Sequence, residues 1–175
     1  MTTLLDDAIA HHVWATERII DACSELTEEQ LTTPVPGTYG SIMDTLRHLV
    51  STDAWYLTFF GDAPQRLGED ARQGLAGLRT VIGQNGRDWA ELLADNPDGE
   101  SDTVEDGDGW RFHAPTGFRL AQVLQHGTDH RSQICTALTS LGVEPPAIDL
   151  WAYGEATGRT RAEYLSAPFL RSSRT

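Results

Sequence analysis

The chain is organised around residues 125–133, which read Gln125-His126-Gly127-Thr128-Asp129-His130-Arg131-Ser132-Gln133. His126 and His130 stand four positions apart in a segment whose apolar spacing predicts a helix. Residues four positions apart lie on one face of a helix, about one turn from each other. Two imidazoles placed in this way can bind one metal ion, as the paired histidines of zinc-protease helices do. A third ligand would have to come from another helix.

An earlier helix supplies a candidate third ligand, His48. Ser41 followed by Asp44 is typical of a helix N-terminus, and the helix is predicted to run from there to about residue 60. Its residues form two stripes on nearly opposite sides, one made of Ile42, Leu46, Val50, Asp53, Leu57 and Phe60, the other of His48, Thr52, Trp55 and Phe59. A surface helix of a small bundle normally has one apolar stripe. The second stripe therefore indicates burial on both sides, or a cleft or subunit interface that contains His48.

The remaining pattern predicts three more long helices, at residues 3–25, about 70–95 and about 119–141, with a short final helix or packed turn at residues 148–154. Residues 100–118 break the helical pattern, and within them residues 103–112 predict a hairpin with a glycine-rich turn. The turn resembles part of a calcium loop but lacks its ligand spacing. The length of 175 residues suits one domain. We expect this domain at residues 1–165 and a flexible tail at residues 166–175.

The composition excludes several classes of partner. The net charge is −13, from 13 basic and 26 acidic residues, which argues against nucleic acid and against anionic membranes. No apolar stretch is long enough to span a membrane and no secretory signal opens the chain, so we expect a cytoplasmic protein. Cys23 and Cys135 lie outside any CxxC motif, which predicts two buried thiols and no cysteine-based zinc site.

Three neutral imidazoles would form an open metal site, because they leave coordination positions for a water or a substrate. Three polar residues lie within about one helical turn of a candidate ligand and are candidates to orient the imidazoles: Asp44, Asp129 and Gln133. A histidine pair at this spacing also arises by chance in a chain with six histidines. Adjacent His11 and His12 are interpreted as an interface or a satisfied core pair, and His113 as a weak candidate for an accessory group.

Residues 126–134 resemble the carboxyl-terminal signature of the DinB/YfiT-like superfamily of metalloenzymes, which is close to H-x-x-x-H-R-x-Q-[IV]. Residues 46–50, around His48, and the aromatic stretch at 53–56 are similar to the segment that carries the first ligand in that family. Residues 141–146 and 149–151 also match its pattern, whereas Ser132 stands where glycine is common. The resemblance implies an all-α four-helix bundle with a small hairpin or irregular insertion before the last bundle helix. It also implies a homodimer, with His48, His126 and His130 as metal ligands.

The resemblance leads to two hypotheses of function. In the first, the protein is a metal-dependent enzyme that activates a low-molecular-weight thiol, as S-transferases of this type do, or a water, for attack on a small electrophilic substrate. Zinc or nickel is the expected ion, with iron or manganese as alternatives. In the second, the protein is a non-catalytic helical-bundle binding or stress-response protein whose metal is structural or absent.

Overall fold

The computed structural model describes residues 2–60, 74–95 and 97–163. Within them lie four long helices, two short helices and one hairpin, with the bounds α1 Leu4–Cys23, α2 Glu28–Thr32, α3 Ile42–Leu57, α4 Leu75–Ala94, β1 Asp102–Gly107, β2 Trp110–Pro115, α5 Thr116–Ser140 and α6 Leu150–Ala156. The long helices form a four-helix bundle, and the hairpin precedes its last helix. The predicted all-α fold class is therefore confirmed.

The packing of the long helices determines which faces can form a site. Helices α1 and α3 each pack against both α4 and α5. The four helices therefore close a ring in which α3 and α5 are neighbours, although α4 and the hairpin separate them in the sequence. The ring brings the second stripe of α3 next to the histidine pair of α5.

Side-chain caps define where three of the helices begin. The side chains of Thr3, Thr27 and Ser41 each accept a hydrogen bond from the backbone N–H three residues later. The side chain of that later residue accepts one from the backbone N–H of the capping residue. Such reciprocal caps satisfy amide groups that a helix leaves unpaired at its first turn. The start of α3 is fixed in this way seven residues before His48.

Two apolar clusters fill the interior of the bundle. One contains Ile19, Leu46, Ile82 and Leu138, and the other contains Ile9, Leu57, Trp89 and Val123. On every long helix, one or two buried polar residues lie in sequence between the residues of one apolar cluster and those of the other. These residues are His12 and Thr16 on α1, Asp53 on α3, Asn85 on α4, and His130 and Arg131 on α5. We call this set the polar layer. It crosses the core at the level of the histidine pair.

The ends of some elements differ from the sequence prediction. Helix α3 ends at Leu57 instead of residue 60, because the N–H groups of residues 58–60 bond to carbonyls three residues back and close a tight final turn. Helix α5 begins at Thr116, three residues early, because the amides of Thr116 and Gly117 bond to carbonyls of Ser101 and Gly99 beside the hairpin. The first residues predicted for the third long helix, 70–73, and the tail at 166–175 lie outside the described residues.

The predicted hairpin is confirmed, with Gly107 opposite Trp110 and a positive φ of 80° at Gly109 in its turn. Glycine tolerates this left-handed conformation without strain. Among the described residues, no helix is long and apolar enough to cross a membrane.

Candidate metal centre

Helices α3 and α5 bring three histidines together. His48 comes from α3, and His126 and His130 come from one face of α5. The Nε2 atoms of His48 and His126 are 3.0 Å apart, and the three ring centroids are 4.4 to 5.0 Å from one another. Each residue offers a donor nitrogen within 4.8 Å of the others. The three histidines, which we call the triad, could therefore hold a metal ion.

Gln133 fixes the orientation of His130. Its Oε1 accepts a hydrogen bond from the backbone N–H of Tyr39 at 2.9 Å and lies 3.1 Å from Nδ1 of His130. A backbone N–H can only donate, so the Gln133 atom that it meets is the amide oxygen. That oxygen can only accept, so Nδ1 of His130 must carry the proton of the second hydrogen bond. The lone pair of His130 is then on Nε2, so Nε2 is the nitrogen that could bind a metal ion.

The loop before α3 covers part of the triad. The Tyr39 ring stacks on the His48 ring with a centroid distance of 4.1 Å and an interplanar angle of 11°. It also meets the edge of His130 at 5.4 Å, yet 55% of Tyr39 is exposed. Thr52 lies one turn after His48, with its hydroxyl 3.4 Å from Nδ1 of His48. Thr52 and Gln133 therefore lie beside His48 and His130, respectively, and His48 and His126 are half-buried while His130 is buried.

Burial favours the neutral form, which binds metals, at two of the triad histidines, His126 and His48. Desolvation is the main cause that lowers the pKa of His126 to about 4, and the neighbouring His130 and His48 lower it further. The pKa of His48 is lowered for the same reasons, burial first and His130 second. Neutral imidazoles are the ligand form, so protons compete weakly for these nitrogens near neutral pH. The donor set therefore fits a transition-metal ion that accepts imidazole ligands.

The triad and the polar layer share His130, and the other members of the layer include His12 and Asp53, whose charges influence the pKa of His126. Nε2 of His12 donates to Oδ1 of Asp53 at 3.0 Å, while Nη1 of Arg131 donates to Nδ1 of the same ring at 3.0 Å. Asp53 also accepts hydrogen bonds from Asn85 at 2.8 Å and from Trp89 at 3.1 Å. Burial lowers the pKa of Arg131 to about 10, and the charge of Asp53 opposes that shift. Hydrogen bonds in this layer connect all four long helices.

The other polar residues singled out in the sequence mostly contact groups outside the triad. Asp44 binds its own cap, Ser41, and the carboxylate of Asp129 accepts from Gln125; of the three predicted orienting residues, Gln133 is the one that contacts a triad histidine. His113 pairs with Asp102 on the exposed hairpin. His12 is a core residue, as interpreted, and His11 bonds to the carbonyl of Ile148.

Apart from Gln133, sequence reasoning did not identify the residues that contact the triad. Tyr39 lies in a loop, where no periodicity marks a contact, and Thr52 was noted as a member of the second stripe without a role. Asp53 did carry a signal, because it interrupts an otherwise apolar stripe. An ionisable residue at such a position needs a buried partner. Its partner His12 lies 41 positions away.

A groove of about 880 Å³ opens elsewhere on the surface, between α1 and α4, lined among others by Val13, Trp14 and Gly86. The triad histidines do not line it. Volume alone does not indicate chemistry, whereas three donor nitrogens that converge do. We therefore place the candidate site at the triad.

The fold and the triad define a class, that of helical-bundle proteins whose histidines could hold a metal ion. The model of the DinB family matches residues 1–163, so the chain belongs to the DinB family. No curated protein matches the chain.

Proposed function

We propose that the protein is a metal-dependent enzyme whose ligands are His48, His126 and His130. The observation that carries the proposal is the convergence of three donor nitrogens within 4.8 Å on a partly exposed face of the bundle. The ligand set carries no negative charge. A bound divalent ion would therefore remain strongly Lewis-acidic and would favour the deprotonated form of a thiol or a water beside it.

Around that face, the side chains of this protein would hold a small substrate. Tyr39 covers one edge of the triad and Tyr56 meets His126 with a ring distance of 6.2 Å. Trp55 on α3 and Phe59 in the turn after it contact each other and are half-buried. Aromatic walls with few polar groups are typical of small-molecule sites. They would exclude water from one side of a bound electrophile.

The reaction we favour is the transfer of a low-molecular-weight thiol to an electrophilic carbon. The thiol loses its proton to solvent, its sulfur forms a bond to the carbon, and the leaving group departs with the electron pair of the broken bond. A water in place of the thiol would give hydrolysis. A screen of electrophiles with and without added thiols separates the two reactions, because hydrolysis proceeds without thiol.

The first test is the metal itself. The protein is purified without a nickel column and its metal content is measured, together with a variant that carries alanine at all three triad positions. His113→Ala is a matched control, because it also removes a histidine, but one that pairs with Asp102 on the exposed hairpin and is not a member of the triad. We expect about one ion per chain in the wild type and in His113→Ala, and none in the triple variant. Equal metal content in all three proteins would refute the proposed ligands.

A second candidate function is a binding protein with a structural ion. The set of three ligands argues against it, since structural sites are usually closed by four protein ligands. The test is thermal unfolding with and without a chelator. A structural ion should shift the midpoint strongly, because it binds the folded state alone. A small shift, combined with thiol transfer that the chelator abolishes, supports the enzyme.

A further inference from the structure

The polar layer contains a buried unit with charged side chains, formed by His12, Asp53 and Arg131. His12, Asp53 and Arg131 are 1%, 1% and 3% exposed. Taking charges from water costs free energy, and replacing a buried ion pair by well-packed apolar residues is often neutral or stabilising. Such a unit therefore suggests that the helices must hold one position relative to one another, because directional hydrogen bonds fix one arrangement where apolar contacts permit several.

The hydrogen bonds of the unit have a defined direction. A guanidinium only donates, so Nδ1 of His12 accepts from Arg131, and the proton on Nε2 of His12 is donated to Asp53. The same guanidinium nitrogen, Nη1, also lies 3.3 Å from the carbonyl oxygen of His12 and 3.3 Å from the hydroxyl of Thr16. Arg131 thus binds α1 at three acceptors, and α1 binds α3 through Asp53. A rotation of α5 about its axis would break these bonds together.

The unit touches the part of α5 that carries the histidine pair. Arg131 follows His130 directly, and Gly127 follows His126. A methyl group at position 127 would overlap Cε1 and Nδ1 of the His12 ring and would lie 2.8 Å from Nη1 of Arg131. The backbone of α5 therefore approaches His12 as closely as a glycine allows, between the two histidines.

We infer that the His12–Asp53–Arg131 unit positions the triad, by fixing the rotation of α5 against α1 and α3 and hence the angle at which His126 and His130 face His48. The inference rests on the proposed metal-binding function. It makes His12, Asp53, Arg131 and Gly127 positioning residues that act on the metal through the ligands, without touching it.

Co(II) is the probe, because its visible absorption reports the geometry of its ligands as well as its binding. Asp53→Asn keeps the shape of the side chain but turns one of the two acceptor oxygens into a donor that faces other donors. Gly127→Ala pushes on His12 from the other side. Both proteins should stay folded by circular dichroism, should bind Co(II) more weakly by tenfold or more, as loss of outer supporting contacts typically does, and should show a shifted visible spectrum.

The control is Leu138→Ala, a buried residue on the same helix that belongs to an apolar cluster. It loosens the bundle without touching the unit, so we expect the wild-type spectrum and affinity. A double-mutant cycle adds His12→Ala: if Gly127→Ala acts through the His12 ring, its effect on Co(II) affinity should largely disappear in the His12→Ala background.

The outcomes separate the inference from the proposed function. If Asp53→Asn and Gly127→Ala bind Co(II) with wild-type affinity and spectrum while His126→Ala does not bind, the inference is overturned and the metal site stands. An equal change in Leu138→Ala would also overturn it, because the effect would then reflect general loosening. Absence of Co(II) binding by the wild type would overturn both. If Asp53→Asn does not fold, Arg131→Lys takes its place with the same expected result. Lysine keeps the positive charge but has fewer N–H donors than the guanidinium.

Discussion

Replacing Gln133 by leucine should weaken metal binding more than it weakens the fold. One oxygen of Gln133 bonds to the backbone N–H of Tyr39 and to Nδ1 of His130. Each lost hydrogen bond costs about 1 kcal/mol. Because Tyr39 is 55% exposed, water can replace one of them. We therefore expect the metal-free protein to lose roughly 1 kcal/mol in its free energy of unfolding.

The loss of metal affinity should be larger, since His130 becomes free to rotate and to change tautomer. Removing the outer partner of a metal-bound histidine typically costs about 10- to 100-fold in affinity, which corresponds to about 1.4 to 2.7 kcal/mol. The assay is competition for Zn(II) against a chromophoric chelator, with urea unfolding of the metal-free proteins alongside. Gln125→Leu is the matched control, because Gln125 lies on the same helix and binds the exposed Asp129. Equal affinities for the two variants would refute the assignment of Gln133.

Three further predictions follow from local contacts. Burial keeps the pKa of His126 at about 4, against 6.5 for an ordinary histidine, so the unfolded chain binds more protons between these values. The free energy of unfolding of the metal-free protein should therefore decrease as the pH falls from 6.5 to 4, and it should decrease less in His126→Ala. If urea unfolding gave the same pH dependence of this free energy for both proteins, the lowered pKa would be contradicted. Ser41→Ala removes the cap of α3 and should cost about 1 kcal/mol in urea unfolding, whereas Ser132→Ala on the exposed side of α5 should not; equal losses would refute the capping role. Tyr39→Phe should preserve metal affinity, because the stacked ring on His48 remains, and Tyr39→Ala should reduce it in the same chelator competition; identical affinities would show that the stacking has no effect on the ligand.

Local signals were enough to predict most elements and the histidine pair. The i, i+4 spacing of His126 and His130 depends only on helix geometry, so it could be inferred without knowledge of the fold. His48 required more, because its relation to α5 depends on which helices are neighbours. The second stripe of α3 showed that this face had a partner, and the family resemblance indicated which one.

The polar layer could be predicted least, because it depends on distances between elements. Asp53 in an apolar stripe indicated a buried partner, but four helices offer candidates, and only packing selects His12, Asn85 and Trp89. The ends of α3 and α5 were missed for a related reason, since a tight final turn and hydrogen bonds beside the hairpin set them, and neither has a strong sequence signature. The homodimer and the cytoplasmic location stay predictions, which light scattering and cell fractionation would test.

The position of α3 and α5 in the chain has a consequence for the order of events in the cell. His48 and His126 are 78 positions apart, and their nitrogens meet only when the last long helix has docked on the ring. A nascent chain that has emerged as far as α4 carries one of the three imidazoles, which alone is a weak ligand. If the proposed ligands bind a metal ion, all three can do so only after α5 has packed against α3. An ion bound by all three histidines would report that α5 has docked against the other long helices.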